Sequence, residues 1–331
     1  MTYLVALFLV LLLSATANGQ GLAISKISKP SSSTITEPRL DGIVCTVAWK
    51  DFQPTSASTV STSILESCIA SGAANNKVAV VQVNFMPPDV RSGYQSVPQW
   101  AKTAGVRVVS LPTTNEFPVW WNPTYKNYAK NAIILLTNLY NGDTRVAGYV
   151  MTGYAGVLST SLAGSQSDAL CPSFQAEGYN GVCPPDSKGD MDMGSVYEDA
   201  VLDMMGHWVS SSSKPLVYLA RNPIDPGSLA ELIEANIVDL NPQVAVMNSG
   251  FTQCSMQAGI VPRYQDLQAA GHIVGWWSIA PWGFPSDTLA NAIYCTAASL
   301  DEAKLWLAFQ DVTWTSVNNP GALDAAFDIF H

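Results

Sequence analysis

The sequence predicts one large α/β domain closed as a (β/α)8 barrel of TIM type. Three observations carry this expectation. Strand-like β-branched runs alternate with helical stretches along most of the chain, the pattern of repeated βα units around a parallel sheet. The strand-like runs are continuously apolar, as in residues 77–85 (KVAVVQVNF), which suits strands covered on both faces. Of 331 residues, 48% are hydrophobic and only 13% charged, enough apolar side chain for a barrel that takes about 250 residues as one unit. The rival, an open doubly wound sheet, is disfavoured because no Gly-rich phosphate fingerprint follows the first strand.

In chain order, residues 1–17 read as a signal peptide. The apolar run Leu4 to Leu13 is followed by the small-x-small pattern Ala15-Thr16-Ala17. That run is shorter than the roughly 20 residues a membrane span needs, so cleavage is expected, followed by secretion into an extracellular space with no membrane attachment. Residues 18–40, rich in Ser, Thr, Lys and Pro, read as an arm or linker, and the barrel is expected over 41–331. Strands are expected at 42–49, 77–85, 106–111, 146–152, 215–220, 243–247 and 272–279, with a candidate eighth around 310–315. Helices are expected at 59–71, 123–140, 195–209, 226–235, 263–270 and 286–300, the last being the final clear one. Pro123 suits a first-turn position. A long Gly/Ser/Cys/Pro loop is expected from Gly153 to about Asp190.

Six cysteines follow the leader: Cys45, Cys68, Cys171, Cys183, Cys254 and Cys295. An even number in an exported chain favours disulfides over metal ligation. Sequence proximity favours Cys171 with Cys183, Cys45 with Cys68 and Cys254 with Cys295, out of fifteen pairings that six cysteines allow. A net charge of −10 argues against nucleic acid and anionic membranes as partners. The three histidines, His207, His272 and His331, form no metal-ligand cluster, and no G-x-S-x-G elbow is present. No cofactor is expected. The spacing of Asp186, Asp190 and Asp192 does not match an EF-hand loop.

A barrel of this kind carries its site at the carboxyl ends of the strands. Aromatic residues accumulate there and just beyond: Trp49, Trp120, Trp121, Tyr154, Trp276, Trp277 and Trp282. Flat rings with amide neighbours suit sugars, whose apolar C–H faces are rimmed by hydroxyls. Some of these rings must instead pack the core, and Trp276 and Trp277 point opposite ways in a regular strand. Trp49, Trp121, Tyr154, Asn248, Trp276 and Trp282 are the expected substrate-binding set.

Trp49-Lys50-Asp51-Phe52-Gln53-Pro54 resembles the W-K-D-x-x-P strand end of a divergent group of glycoside-hydrolase-like barrels related to β-galactosidases. Trp121-Asn122-Pro123-Thr124-Tyr125 and Val150-Met151-Thr152-Gly153 look like that group's middle section. Val246-Met247-Asn248 and Gly271-His272-Ile273-Val274-Gly275-Trp276 are similar to its last strands. The resemblance implies a TIM barrel with a sugar cleft and a hydrolysis that needs two carboxyl groups. The chain departs from it where an acid is expected: Met151-Thr152-Gly153 runs into Tyr154-Ala155-Gly156, and Met247 into Asn248-Ser249-Gly250. Glu116, near Trp120 and Trp121, and Asp51, after the first expected strand, are the best available catalytic pair. Asp225 and Asp287 sit at helix starts and read as caps. Three functions follow: a secreted glycoside hydrolase, a non-catalytic binding or structural extracellular barrel that keeps the cleft without its acids, or an inhibitor-type or assembly protein on the same scaffold.

Overall fold

The computed structural model describes residues 22–26, 32–85, 95–110, 116–152, 165–181, 195–220, 229–249, 260–279, 286–309, 315 and 320–331. The strands are β1 Leu22–Lys26, β2 Gly42–Ala48, β3 Val78–Asn84, β4 Val108–Ser110, β5 Glu116–Pro118, β6 Val146–Val150, β7 Leu216–Ala220, β8 Val244–Ser249, β9 Val274–Ile279 and β10 Leu305–Phe309. Eight of them close a barrel in the order β1-β2-β3-β6-β7-β8-β9-β10 and back to β1, every pairing parallel. The helices, numbered the same way, are α1 Ser32–Ile35, α2 Trp49–Phe52, α3 Ser63–Ala73, α4 Gln99–Thr103, α5 Pro123–Tyr140, α6 Ser165–Ala176 and α7 Ser195–Ser211. They continue with α8 Leu229–Ile233, α9 Val261–Ala269, α10 Ser286–Ala297 and α11 Pro320–Phe330. A π-helical turn, Glu234–Val238, extends α8.

The eight-stranded barrel is as expected, but two of its members are not. Residues 22–26 belong to no arm: they form β1, hydrogen-bonded to both β2 and β10. Without this strand both neighbours would expose unpaired edges. Residues 106–111 hold no barrel strand. Their three extended residues, β4, pair antiparallel with β5 in a separate hairpin. The last barrel strand, β10, precedes the candidate 310–315. Five helices were also not expected: α1 and α2 on either side of β2, α4 before β4, α6 within the expected loop and α11 after the expected last helix.

Alternation along the strands separates two apolar layers. Ile24, Val44, Val80, Val150, Val217, Leu219, Ala245, Met247, Trp277, Trp306 and Ala308 pack together inside the barrel. Ala23, Cys45, Val81, Tyr149, Val246 and Trp276 join the shell beneath the helices. A Cβ on Gly275 would stand 1.8 Å from the Trp306 carbonyl oxygen, so only glycine lets β9 and β10 approach this closely. Cys45 on β2 is bonded to Cys68 on α3, which fixes that helix to its strand as proximity suggested. Cys171 and Cys295 are also disulfide-bonded; Cys183 and Cys254 lie outside the described residues. At the start of α5 the Asn122 side chain accepts from the Tyr125 amide at 2.9 Å, with Pro123 in the first turn. Among the described residues no helix is long and apolar enough to cross a membrane.

Candidate functional site

The carboxyl ends of the barrel strands define the mouth. Trp49 follows β2 directly, because α2 begins there. Its ring is wholly buried, 5.1 Å from Phe85, 5.9 Å from Tyr125 and 6.1 Å from Trp100 between centroids. Its Nε1 donates to Gln53 Oε1 at 2.7 Å. With no open face, this indole anchors the loop after β2 to α5 and cannot stack on a sugar in this structure. Asp51, in the first turn of α2, is half-buried and has no ion-pair partner among the described residues.

Glu116 opens β5, opposite Ser110 of β4. Its Oε2 accepts from Lys102 Nζ of α4 at 2.8 Å, with 17% of the Glu116 side chain exposed. No hydrogen bond or ion pair joins Glu116 to Asp51 among the described residues. Trp121 is half-buried; its Nε1 donates to the Glu177 carbonyl at 2.7 Å, and its ring lies against Phe174 and Tyr179. Trp120 beside it is buried.

Asn248 and Trp276 are register partners on β8 and β9, and both are buried. Trp276 packs in the outer shell against Tyr264 of α9, 5.3 Å between centroids. Asn248 shares the outward parity of Val244 and Val246. Strand alternation therefore sends this pair away from the lumen. The inward ring is its neighbour, Trp277. Burial pushes the Tyr264 phenol well above its ordinary range; its hydroxyl donates to the Gly275 carbonyl at 2.8 Å. Nearby, burial raises the Glu234 carboxyl, opposed by Arg263, whose Nε lies 3.2 Å from Glu234 Oε2. These shifted groups brace the helical shell. Tyr154, Trp282, Asp225 and the residues Asp186, Asp190 and Asp192 lie outside the described residues, as does the side chain of Asp287.

What the mouth does contain is a polar patch that went unnoticed in the sequence. Thr46 and Gln82 face each other in register, as do Ala48 and Asn84 one step further along. All four share the inward parity of Val44 and Val80. Thr46 Oγ1 and Gln82 Oε1 are 3.5 Å apart. Gln82 is 2% exposed, while Thr46 and Asn84 are half-buried. Thr152, after β6, is buried and donates to the Val83 carbonyl at 2.7 Å. The signal was present in the sequence: Thr46 in the apolar run of β2, and Gln82 and Asn84 two residues apart in that of β3. Among the described residues, no three His, Cys, Asp or Glu side chains gather as a metal site.

The opposite, amino face has a cavity lined by Leu22, Asp41, Lys77 and His331, among others. Its charges are matched locally. Lys77 Nζ donates to the Glu37 and Leu40 carbonyls at 2.7 and 2.5 Å, and Asp41 Oδ2 accepts from the Ala23 amide at 2.8 Å. That pattern holds β1 and α1 in place.

No family model matches the chain, and no curated protein matches it in sequence. Solved structures do match in fold. A GH10 xylanase from Bispora sp. MEY-1, solved with xylobiose, superposes with a TM-score of 0.56 at 13% identity, covering 94% of this chain and 96% of that one. The catalytic domain of β-amylase from Paenibacillus polymyxa gives 0.56 at 9% identity, with 95% and 98% covered. A β-galactosidase from the psychrophilic Marinomonas ef1 gives 0.55 at 10% identity, with 93% and 58% covered. The chain thus shares its (β/α)8 barrel fold with these three proteins.

Proposed function

We propose that this protein is exported and engages an oligo- or polysaccharide at the carboxyl mouth of its barrel. The supporting observation is the inward-facing Thr46–Gln82–Asn84 patch at that mouth, in a fold shared over more than nine-tenths of the chain with a xylanase and a β-amylase. Export is supported by the apolar leader and by the Cys45–Cys68 disulfide, a bond that persists in oxidising compartments. Trp121, half-buried beside the β4–β5 hairpin, is a described ring with exposed surface for a sugar; Tyr154 and Trp282 join it in this proposal.

Two observations favour binding without hydrolysis. The segments after β6 and β9, residues 153–164 and 280–285, contain no Asp or Glu. Glu116 is held by Lys102. Hydrolysis by the common routes needs an acid and a second carboxylate about 5 Å or about 6.5–9.5 Å apart, and Glu116 with Asp51 is the candidate pair. The test is to incubate purified protein and Glu116→Gln with a panel of polysaccharides, measuring both sugar release and binding. Binding without release is expected. Sugar release by the wild-type protein that Glu116→Gln abolishes would establish the hydrolytic alternative instead. A panel that yields neither binding nor release would contradict the carbohydrate reading. Amino-terminal sequencing of the secreted protein checks export, with a first residue near Asn18 expected.

A further inference from the structure

The geometry points to a subsite for one ring of an uncharged saccharide, built by Thr46, Gln82 and Asn84 in the carboxyl half of the lumen. It rests on the carbohydrate reading above and names the ligand class and the recognising groups. Gln82 is nearly inaccessible, yet its one hydrogen bond is the contact with Thr46 at 3.5 Å, the far limit for such a bond. Its two amide N–H donors bond nothing among the described residues. Asn84, one register step nearer the opening, makes no side-chain hydrogen bond among the described residues. A nearly inaccessible amide with so weak a partner destabilises a fold, and the lumen around Gln82 is apolar: Val44, Val80, Val150, Met247 and Trp277. A leucine would fill the position of Gln82 without that penalty. A side chain that costs stability and has no structural partner fits a role in recognition.

The donor and acceptor set identifies the ligand. Two carboxamides beside a hydroxyl can each give and take hydrogen bonds, which matches neighbouring sugar hydroxyls. Trp277, inward-facing on the far wall, offers an apolar surface for a C–H face. The net charge of −10 repels polyanions. An uncharged pyranose is therefore preferred to a uronate.

Calorimetric titration of the full protein with neutral xylo-, gluco-, manno- and galacto-oligosaccharides, and with oligogalacturonate, tests this. The wild-type protein is expected to bind a neutral ligand and to ignore the uronate. Gln82→Leu and Asn84→Leu are expected to weaken that binding by about tenfold or more, the loss of a hydrogen bond to a buried group. The thermal midpoint of Gln82→Leu should equal or exceed that of the wild-type protein, which a purely structural glutamine would not permit. Should Gln82→Leu fail to fold, the subsite is overturned on that ground, and Asn84→Leu still reads out the mouth. Unchanged affinity in both variants, or a preference for oligogalacturonate, overturns the subsite while leaving carbohydrate binding intact. A wild-type protein that binds no saccharide overturns the broader reading and the subsite with it.

Discussion

Trp49 and Trp276 each bury an indole completely: Trp49 against Phe85 after β3 and Tyr125 of α5, Trp276 against Tyr264 of α9. Truncating such a ring leaves a cavity that the shell fills only in part. Trp276→Ala is expected to lower unfolding stability by roughly 3–5 kcal/mol, read from urea melts, while saccharide affinity in the folded fraction stays unchanged. A large loss of affinity without loss of stability would return Trp276 to the cleft. Asp143 offers a pH-dependent test. Arg145 beside it, with Nε and Nη2 on the carboxylate at 3.0 and 2.6 Å, holds the Asp143 carboxyl below its ordinary range. A carboxyl lowered in the folded state contributes stability that is complete above its unfolded value and disappears as pH falls through the folded one. The stability difference between wild type and Asp143→Asn should therefore be constant near neutrality and shrink below about pH 4. A difference that persists in acid would refute this. Residue identity showed that rings and amides gather at strand ends. Which face each occupies depends on strand parity, and that is why Trp276 was preferred to Trp277 and Gln82 passed unnoticed.

Elements buried on both faces were legible because their apolar runs are continuous, as in β3 and β7. β1 was hidden by its neighbours: five residues, LAISK, sit in a Ser- and Lys-rich stretch, and only the open edges of β2 and β10 require a strand there. The reverse error, at 106–111, arose because VRVVSL has the composition of a barrel strand while just three of its residues extend. Deleting residues 18–31 should thus remove a structural strand rather than a tail, giving aggregated protein instead of a soluble barrel, as checked by gel filtration. A soluble, cooperative monomer would refute the assignment of β1. On the next unit, the Cys45–Cys68 bond closes a loop of 23 residues. Replacing both cysteines by alanine should cost about 3 kcal/mol by loop entropy, measured by denaturant unfolding of the two proteins.

At the scale of the whole molecule, the barrel fixes where chemistry belongs before any residue is assigned to it. Eight parallel strands share one carboxyl face, and the loops that leave it are free to vary without disturbing the core. The sequence pattern was sufficient for this architecture. It was insufficient for the site, because the residues that face the lumen are set by the register between β2 and β3, a non-local property. The amino face, by contrast, has its charges matched around Lys77 and Asp41 and serves as an internal control. The most direct measurement is hydrogen exchange of the protein with and without a saturating neutral oligosaccharide. Protection gathered at the carboxyl ends of β2 and β3, residues 46–53 and 82–85, with the amino face around 37–41 and 75–78 unchanged, is the expected result. Protection confined to the amino face or to the outer helices would contradict a sugar site at the mouth of the barrel.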